Sequence, residues 1–157
     1  MNNPTTVVAE FFDAWIAGDV DAAVGLLAPD AIYALYIAED LLPFAGVTRG
    51  RGQIASRLHE MRQSWDYERF RPGPLRQDAD DEEIVYCSVE FRYRHRPSGE
   101  QLSGSFRMVW CVRDGFVRSC EEYHDRARVE TFLRLVRRYG PEATDREGPG
   151  GTGEPTT

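Results

Sequence analysis

The sequence predicts an α+β fold, in which a curved antiparallel sheet carries helices packed over its concave face. Apolar residues recur at helical spacing through most of residues 4–66, and alternation of apolar and polar residues dominates from residue 84 onwards. A last helical pattern follows the strands, over residues 126–139. Helices and strands that are segregated in this way pack as layers around one core. A curved sheet covered by helices forms a cone, whose mouth is a natural small-molecule pocket.

Two helices and a strand are predicted in the N-terminal part of the chain. The first helix begins at Asn3-Pro4, because asparagine caps a helix and proline suits its first turn, and Gly18 ends it. Asp19 can cap a short second helix, which we expect to reach Pro29. The strand that follows covers residues 30–37. Its alternation sets one face with Tyr33, Leu35 and Ile37.

The middle of the chain predicts a loop, a helix and an ambiguous segment. Residues 38–50 form an apolar loop, which is either functional or packed over the edge of the core. A third helix is expected over residues 52–66. Its apolar face consists of Ile54, Leu58, Met61 and Trp65. Residues 67–77 stay open between strand and loop, because Pro72 and Pro74 interrupt the strand pattern.

A run of strands and a helix close the domain. Residues 84–96 form a long strand, and Asp114-Gly115 is a strong hairpin signal because glycine tolerates the positive φ that the turn needs. The closing strand, residues 116–124, completes a meander before the last helix. Its alternation puts on one face Arg118, Cys120, Glu122 and His124. That face carries acid–base chemistry if it borders a cavity, and it is an ordinary amphipathic strand if it faces water.

Composition argues against several classes of protein. The 157 residues carry 26 acidic and 19 basic side chains, a net charge of −7, which disfavours a general nucleic-acid-binding surface. Three cysteines without paired spacing and three scattered histidines argue against a disulfide framework and a metal site. Neither a signal peptide nor an apolar run of membrane-spanning length is recognisable. We expect a cytoplasmic protein with a single domain over residues 1–140 and a disordered tail over residues 141–157.

Several short motifs together resemble the SnoaL-like, or NTF2-like, superfamily. They are Phe11-Phe12-x-x-Trp15-x-x-Gly18-Asp19-x-Asp21, Leu26-Leu27-x-x-Asp30-Ala31, Gly46-x-x-x-Gly50, and the Asp114-Gly115 turn leading to Tyr123-His124-Asp125. The resemblance covers about residues 5–126. It implies the NTF2-like cone. Members of the superfamily often form dimers whose sheets pack back to back, so the resemblance also makes a homodimer plausible. It also implies that the face with Cys120, Glu122 and His124 borders the pocket.

The superfamily includes polyketide cyclases, ketosteroid isomerase, limonene-type epoxide hydrolases, dehydratases and members that only bind partners, so the resemblance leaves the activity open. The isomerase's base, oxyanion-hole acid and helix-one tyrosine correspond here to Leu35, Met108 and Phe11. All three chemical groups are missing, and steroid-type isomerisation by that mechanism is therefore not expected.

The epoxide hydrolase pattern is only partly present. Its first-strand tyrosine corresponds to Tyr33, and its closing-strand carboxylate corresponds to Glu122. Leu35 replaces its asparagine, and its Arg-x-Asp positions correspond to Val89 and Phe91. The resemblance therefore implies one shared carboxylate without the full catalytic set.

The candidate catalytic residues are Glu122, His124 and Tyr33. Glu122 would give or take a proton, because apolar surroundings disfavour the charged form of a carboxylic acid. His124 would orient it or carry a second proton, and Tyr33 would donate a hydrogen bond to a developing oxyanion. The predicted pocket wall consists of Trp15, Leu35, Phe91, Tyr93, Phe106, Met108, Trp110 and Cys120. Purely structural interpretations are the alternative. Glu122 and His124 could form a solvated pair at the rim of the cavity, and Tyr33 and the wall residues could be ordinary core packing.

Two functions are compatible with these residues. The first is an enzyme that uses cofactor-free acid–base chemistry on a hydrophobic small molecule, for cyclisation, isomerisation, dehydration or epoxide opening. The alternative is a non-catalytic domain that binds a ligand or a protein partner through the same cone. The enzyme requires Glu122 to be buried, with His124 or Tyr33 close enough to act on the same bound molecule. We also expect a homodimer, with no nucleic-acid or membrane partner and no metal or other cofactor.

Overall fold

The computed structural model of the protein describes residues 3–139. Its helices are α1 (Pro4–Ile16), α2 (Val20–Val24), α3 (Arg51–Ser64) and α4 (Arg126–Val136), and a 3₁₀ turn, Arg137–Tyr139, follows α4. Its strands are β1 (Leu27–Leu35), β2 (Gly46–Arg49), β3 (Trp65–Pro72), β4 (Arg76–Gln77), β5 (Ile84–His95), β6 (Gln101–Arg113) and β7 (Phe116–Tyr123). The predicted tail, residues 141–157, lies outside the described residues.

The strands form one open, curved sheet in the order β2-β1-β7-β6-β5-β3, and β4 pairs with β5. The predicted α+β class is confirmed. One detail differs from the expected antiparallel sheet, because β1 and β7 run parallel while the other pairings are antiparallel. β2 pairs with β1 antiparallel on one side, whereas β7, the last strand, lies on the other side of β1 and runs in the same direction, and the sheet is therefore mixed.

The predicted starts of the first two helices are confirmed by their caps. The Asn3 side chain accepts a hydrogen bond from the backbone N–H of Thr6 at 2.9 Å, and Asp19 accepts one from Ala22 at 3.0 Å. Each bond satisfies an N–H group that the first turn of a helix leaves without a partner. Gly18 lies between the two helices with a φ of 81°, a conformation that glycine adopts without strain.

Two predicted helix ends are wrong, because strand pairing begins earlier than the helical pattern suggests. The second helix ends at Val24, and Leu27 already belongs to β1, where it pairs with Val117 and is buried. Trp65 begins β3 instead of ending α3; its backbone is extended and pairs with His95. In both cases a large apolar side chain gains more by packing on the sheet than by extending a helix.

The predicted loop over residues 38–50 is wrong at its C-terminal end, where a short strand forms, and the ambiguous segment also contains a strand. Within the expected loop, β2 pairs with β1 and alternates between buried and exposed residues. In the ambiguous segment, β3 pairs with β5 and ends at Pro72. A proline is tolerated there because it lies at the end of a strand, where the missing N–H removes little of the ladder.

The core lies between one face of the sheet and the helices. Its fully buried members come from α1, α3 and alternate positions of β5, β6 and β7, including Val7, Ile54, Val89, Trp110 and Val117. Within residues 3–139, none of the helices combines the length and the apolar character needed to cross a membrane. The same layer of helices leaves a cavity above part of the sheet, and that cavity contains the candidate site.

Candidate functional site

A cavity of about 80 Å³ lies between the helices and the inner face of the sheet. Its wall is almost entirely apolar and aromatic. The lining side chains are Phe11, Phe12, Trp15, Tyr33, Leu35, Ile37, Leu42, Phe44, Leu58, Met61, Trp65, Tyr67, Phe70, Phe91, Tyr93, Leu102, Met108, Glu122, His124 and Leu133. Glu122 and His124 are thus the two acid–base groups in a wall that otherwise offers apolar side chains and tyrosine hydroxyls.

The strand β7 brings Glu122 to the cavity. It lies between β1 and β6, and Glu122 pairs with Leu35 on one side and with Met108 on the other. Side chains of cross-strand partners lie on the same face of a sheet. Glu122 is therefore flanked by two apolar side chains that also line the cavity, and His124 follows on the same face just beyond the end of the strand.

Three polar side chains form one hydrogen-bonded group on this wall. The Tyr33 hydroxyl donates to Oε2 of Glu122, and Nε2 of His124 lies 2.9 Å from Oε1. The side chains of Glu122 and His124 are only 14% and 9% exposed. A hydrogen bond to a carboxylate is screened little at this depth, so it is stronger than the same contact on the surface.

The direction of each hydrogen bond follows from the chemistry of the groups. Burial and the neighbouring Cys120 and Glu122 raise the pKa of Tyr33 well above its ordinary value, so the phenol keeps its proton and acts as the donor. A carboxylate can only accept, and we therefore assign the ring proton of His124 to Nε2. In the neutral ring, Nδ1 is then an acceptor. This atom is buried and has no hydrogen-bond partner within residues 3–139.

The imidazole of His124 is held between aromatic rings. It stacks on Phe106 with ring centroids 4.4 Å apart and an interplanar angle of 23°, and Phe91 approaches its edge with the centroids at 6.0 Å. Tyr33 is held in a similar way by Phe44, whose ring centroid lies 4.7 Å away. The aromatic contacts restrict both side chains to the positions in which they reach Glu122.

The structure brings the three candidate catalytic residues together and places most of the predicted wall around them. Trp15, Leu35, Phe91, Tyr93 and Met108 line the cavity. Phe106, Trp110 and Cys120 are buried, but they are not part of its wall.

Two of these exceptions, Trp110 and Cys120, lie deeper than the cavity for identifiable reasons, and the third, Phe106, stacks on His124. Phe11 and Phe12 stand against the indole of Trp110, with ring centroids 5.1 Å and 5.4 Å away, and fill the space above it. Cys120 is the cross-strand partner of Tyr33 and is fully buried beside it. Burial raises the pKa of the Cys120 thiol well above its ordinary value, which argues against a thiolate nucleophile.

Part of the wall was not anticipated from the sequence. Phe11 and Phe12 come from α1, Leu42 and Phe44 from the loop between β1 and β2, and Tyr67 from β3. The apolar run in that loop was the available signal, since a long apolar loop in a compact domain is often functional. Among the residues that the structure describes, no group of three or more histidine, cysteine or acidic side chains is arranged to hold a metal ion.

Comparison with known proteins gives the same fold. A family profile described as a SnoaL-like domain matches residues 8–120. An NTF2-like protein of unknown function from Burkholderia pseudomallei shares 18% identity over 85% of this chain and 98% of its own, with a TM-score of 0.74. No curated protein matches the chain.

Two further solved structures are similar in fold and carry more specific descriptions. A candidate polyketide cyclase from Xanthomonas campestris pv. campestris is 19% identical over 85% of this chain and 96% of its own, with a TM-score of 0.65. TerC, crystallised with polyporic acid, is 14% identical over 83% of this chain and 98% of its own, with a TM-score of 0.71. At these identities the likeness extends to the fold, and the chemistry has to be argued from the cavity.

Proposed function

The chain belongs to the SnoaL-like domain family, and from that premise we propose that it is an enzyme that moves protons on an apolar small molecule, without a cofactor. The observation that carries the proposal is the linked group of Tyr33, Glu122 and His124 on the wall of an otherwise apolar cavity. Buried polar groups of this kind are costly unless they are paired, and they concentrate at functional sites. The polyketide cyclase description of a structural neighbour agrees with this reaction type.

His124 is the proton acceptor in this proposal, and Glu122 supports it. Both carboxylate oxygens of Glu122 already accept hydrogen bonds, whereas Nδ1 of His124 has a lone pair and no partner in the described part of the chain. A proton taken from a substrate carbon by Nδ1 leaves an enolate and an imidazolium, and the Glu122 charge stabilises the imidazolium. Return of the proton to the substrate restores the neutral ring. Tyr33 then holds Glu122 in place, rather than serving the oxyanion directly.

The size of the cavity limits what can bind without rearrangement. Pockets for drug-sized ligands typically have volumes of about 300–1,000 Å³, whereas this cavity has about 80 Å³. Nδ1 of His124 is also covered by its neighbours. A substrate of two or more rings therefore requires part of the wall to move, and this also applies to the two-ring probes used in the tests below. The segment between β1 and β2 is the best candidate, because it supplies Leu42 and Phe44 and belongs to no helix or strand.

Proton transfer coupled to cyclisation or isomerisation fits this site better than epoxide opening. The epoxide hydrolase arrangement needs an Arg-x-Asp pair beside the closing-strand carboxylate, and the corresponding positions hold Val89 and Phe91. The ring of Phe91 borders the cavity and packs near His124 instead. A wall of this kind holds an apolar molecule but offers no second carboxylate to activate water.

Hydrogen–deuterium exchange at carbon tests the proposal without knowledge of the natural substrate. The α-protons of 2-indanone, a small apolar ketone, are followed by proton NMR in D₂O with and without the protein. We expect the wild-type protein to accelerate exchange above the rate in buffer, and His124→Gln to lose most of the acceleration. An acceleration that survives His124→Gln, or is absent from the wild-type protein, contradicts the proposed role.

The non-catalytic alternative shares the cavity and is separated by the same measurement. A domain that only binds a ligand would show chemical-shift changes with 2-indanone at the cavity residues and no accelerated exchange. In that case the contacts between Tyr33, Glu122 and His124 would serve to order the cavity wall.

A homodimer and a cytoplasmic location stay predictions. The outer face of β5 and β7 exposes Tyr86 and Tyr123, which are large apolar side chains for a solvated sheet surface. Pairing of this face with a second copy would cover both. We expect light scattering to give a mass of twice 17.9 kDa, and a monomer would contradict the prediction.

A further inference from the structure

A second polar cluster lies beside the cavity. Tyr67 and Tyr93 line the wall, and Arg62 packs on Trp15 and Tyr67 without lining the cavity itself. Arg62 lies in the last turn of α3, and its guanidinium carbon is 4.1 Å from the ring centroid of Trp15 and 4.7 Å from that of Tyr67. Both rings line the cavity. The half-buried guanidinium therefore packs on two side chains of the wall, although Arg62 is not one of the lining residues.

The charge of Arg62 is not balanced by a carboxylate from the described part of the chain. Within residues 3–139 no acidic side chain lies within ion-pair distance of its guanidinium, although Arg94 and Arg96 nearby both pair with Asp66. Its Nη2 donates to the carbonyl of Trp15, while its Nε is buried and has no acceptor among the described residues. Burial lowers the pKa of Arg62 below its ordinary value, because desolvation of the charge is not offset by a negative partner.

Two tyrosine hydroxyls complete the cluster. Tyr67 and Tyr93 are cross-strand partners in β3 and β5, and their ring centroids lie 4.4 Å apart. Neither hydroxyl forms a hydrogen bond with another part of the described chain, whereas Tyr33 and Tyr36 both bond to a glutamate. Burial raises the pKa of both phenols, so each keeps its proton and can donate. The cluster thus offers phenol donors and a positive charge, and within residues 3–139 its only hydrogen bond is the one from Nη2 of Arg62 to the carbonyl of Trp15.

We infer that Arg62, Tyr67 and Tyr93 bind a carboxylate of the substrate, whose apolar body fills the cavity and reaches the Glu122–His124 pair. A guanidinium presents parallel N–H groups that match a carboxylate, and phenol hydroxyls add further donors. The substrate class is therefore an apolar ring compound that carries an acid group. This inference rests on the proposed function for the orientation of the substrate, but its binding step can be measured separately.

A purely structural role for Arg62 explains only part of these contacts. Stacking of a guanidinium on Trp15 and Tyr67 is a common way to cover aromatic surface. It accounts for the position of the side chain and for the bond to the carbonyl of Trp15. It leaves the buried Nε without an acceptor among residues 3–139, and buried donors without acceptors are rare in folded proteins. The hydroxyls of Tyr67 and Tyr93, two residues of the cavity wall, form no hydrogen bond within the described chain either. A bound carboxylate supplies oxygens to these groups.

Binding of 2-naphthoate and of its neutral analogue 2-naphthamide tests the inference by calorimetry. We expect the wild-type protein to bind 2-naphthoate at least about tenfold more tightly, since hydrogen bonds to charged groups contribute substantially. Arg62→Met keeps an apolar stem over Trp15 and removes the charge. It should weaken binding of 2-naphthoate about tenfold or more, and leave binding of 2-naphthamide within about twofold. Arg57→Met is the matched control, because Arg57 lies on the same helix and pairs on the surface with Glu60.

Three results would overturn the inference. The first is equal affinity of the wild-type protein for both probes, and the second is no binding of 2-naphthoate at millimolar concentration. The third is an equal loss of affinity for both probes in Arg62→Met. Rescue of the preference by Arg62→Lys would support a charge effect over a packing effect. Because the readout is binding, a protein that binds 2-naphthoate through Arg62 but exchanges no protons keeps this inference and contradicts the proposed catalysis. A protein that exchanges the protons of 2-indanone but shows no preference for 2-naphthoate supports the proposed catalysis and contradicts this inference.

Discussion

Glu122→Gln is the substitution that separates the chemical role of the carboxylate from its structural role. Glutamine has nearly the same shape, and it can keep both hydrogen bonds of the native side chain. Its amide oxygen accepts from Nε2 of His124, while its amide nitrogen donates to the Tyr33 hydroxyl, which can rotate to become an acceptor. We therefore expect the free energy of unfolding to change by less than about 1 kcal/mol.

The loss of charge should have a much larger effect on proton transfer. Nε2 of His124 and Oε1 of Glu122 are 2.9 Å apart, which places the centres of the two charges about 4 Å apart. At an effective dielectric constant of about 20, two unit charges at that separation attract with about 4 kcal/mol. This energy stabilises the imidazolium that forms when His124 takes a proton. Its loss corresponds to about a 10³-fold lower rate, within the range of roughly 10²–10⁴ that general acid–base groups contribute.

The assay compares deuterium exchange of 2-indanone with urea unfolding for the same variants. Glu121→Gln is the matched control, because Glu121 is the adjacent residue on the opposite face of β7 and accepts a hydrogen bond of 2.7 Å from the Tyr36 hydroxyl. It should leave the exchange rate within about twofold of wild type.

Two outcomes would refute the reasoning on Glu122. One is an exchange rate in Glu122→Gln that stays near wild type. The other is an equal loss of rate in Glu121→Gln, which would indicate a general effect of charge on the protein. A large loss of stability in Glu122→Gln would show that the amide cannot keep the hydrogen bonds assigned to it.

Three further predictions concern stability. Tyr33→Phe removes the hydroxyl that donates to Glu122 and should cost about 1.5–3 kcal/mol in urea unfolding; a cost below about 0.5 kcal/mol would contradict that bond. Gly46→Ala should destabilise the protein by about 1–2 kcal/mol, because Gly46 has a φ of 84°. Gly52→Ala should stabilise it by about 0.5–1 kcal/mol, because Gly52 lies in α3 with open space around it and alanine favours helix. Circular dichroism during thermal unfolding compares the two variants. Burial raises the pKa of Cys87 from 9.0 to about 11, so the unfolded state loses its proton first and stability should fall between pH 9 and 11. Urea unfolding under reducing conditions measures this fall, which should be smaller in Cys87→Ala, and a stability that is unchanged across that range would contradict it.

Local signals in the sequence were sufficient for the elements that depend on near neighbours. Asn3 and Asp19 cap the helices that they were expected to cap. The Asp114-Gly115 turn has positive φ at both residues, 55° and 83°, and joins β6 to β7 as predicted. Alternation along β7 correctly separates Glu122 from Glu121. Each of these features is decided within a few residues of the chain.

Features that depend on distant partners could not be predicted in the same way. Trp65 continues a helical pattern, and its strand conformation is decided by pairing with His95, thirty residues later in the sequence. Alternation assigned Trp110 and Cys120 to the inner face, but it contains no information on depth, and α1 fills the space above Trp110. Arg62 carried no signal in the sequence for the binding role inferred above, because only the fold reveals that no carboxylate among the described residues pairs with it.

The two faces of β7 carry the same pair of chemical groups, and comparing them indicates on which contacts the proposed catalysis depends. On the outer face, Tyr36 donates to Glu121, and this hydrogen bond raises the pKa of Tyr36 to about 12. On the inner face, Tyr33 donates to Glu122. A tyrosine beside a carboxylate is therefore no sign of an active site in this protein. The inner pair differs because its carboxylate also contacts the buried imidazole of His124 and borders an apolar cavity. The case for catalysis thus depends on the imidazole and the cavity, and substitution of His124 tests it more directly than substitution of either tyrosine.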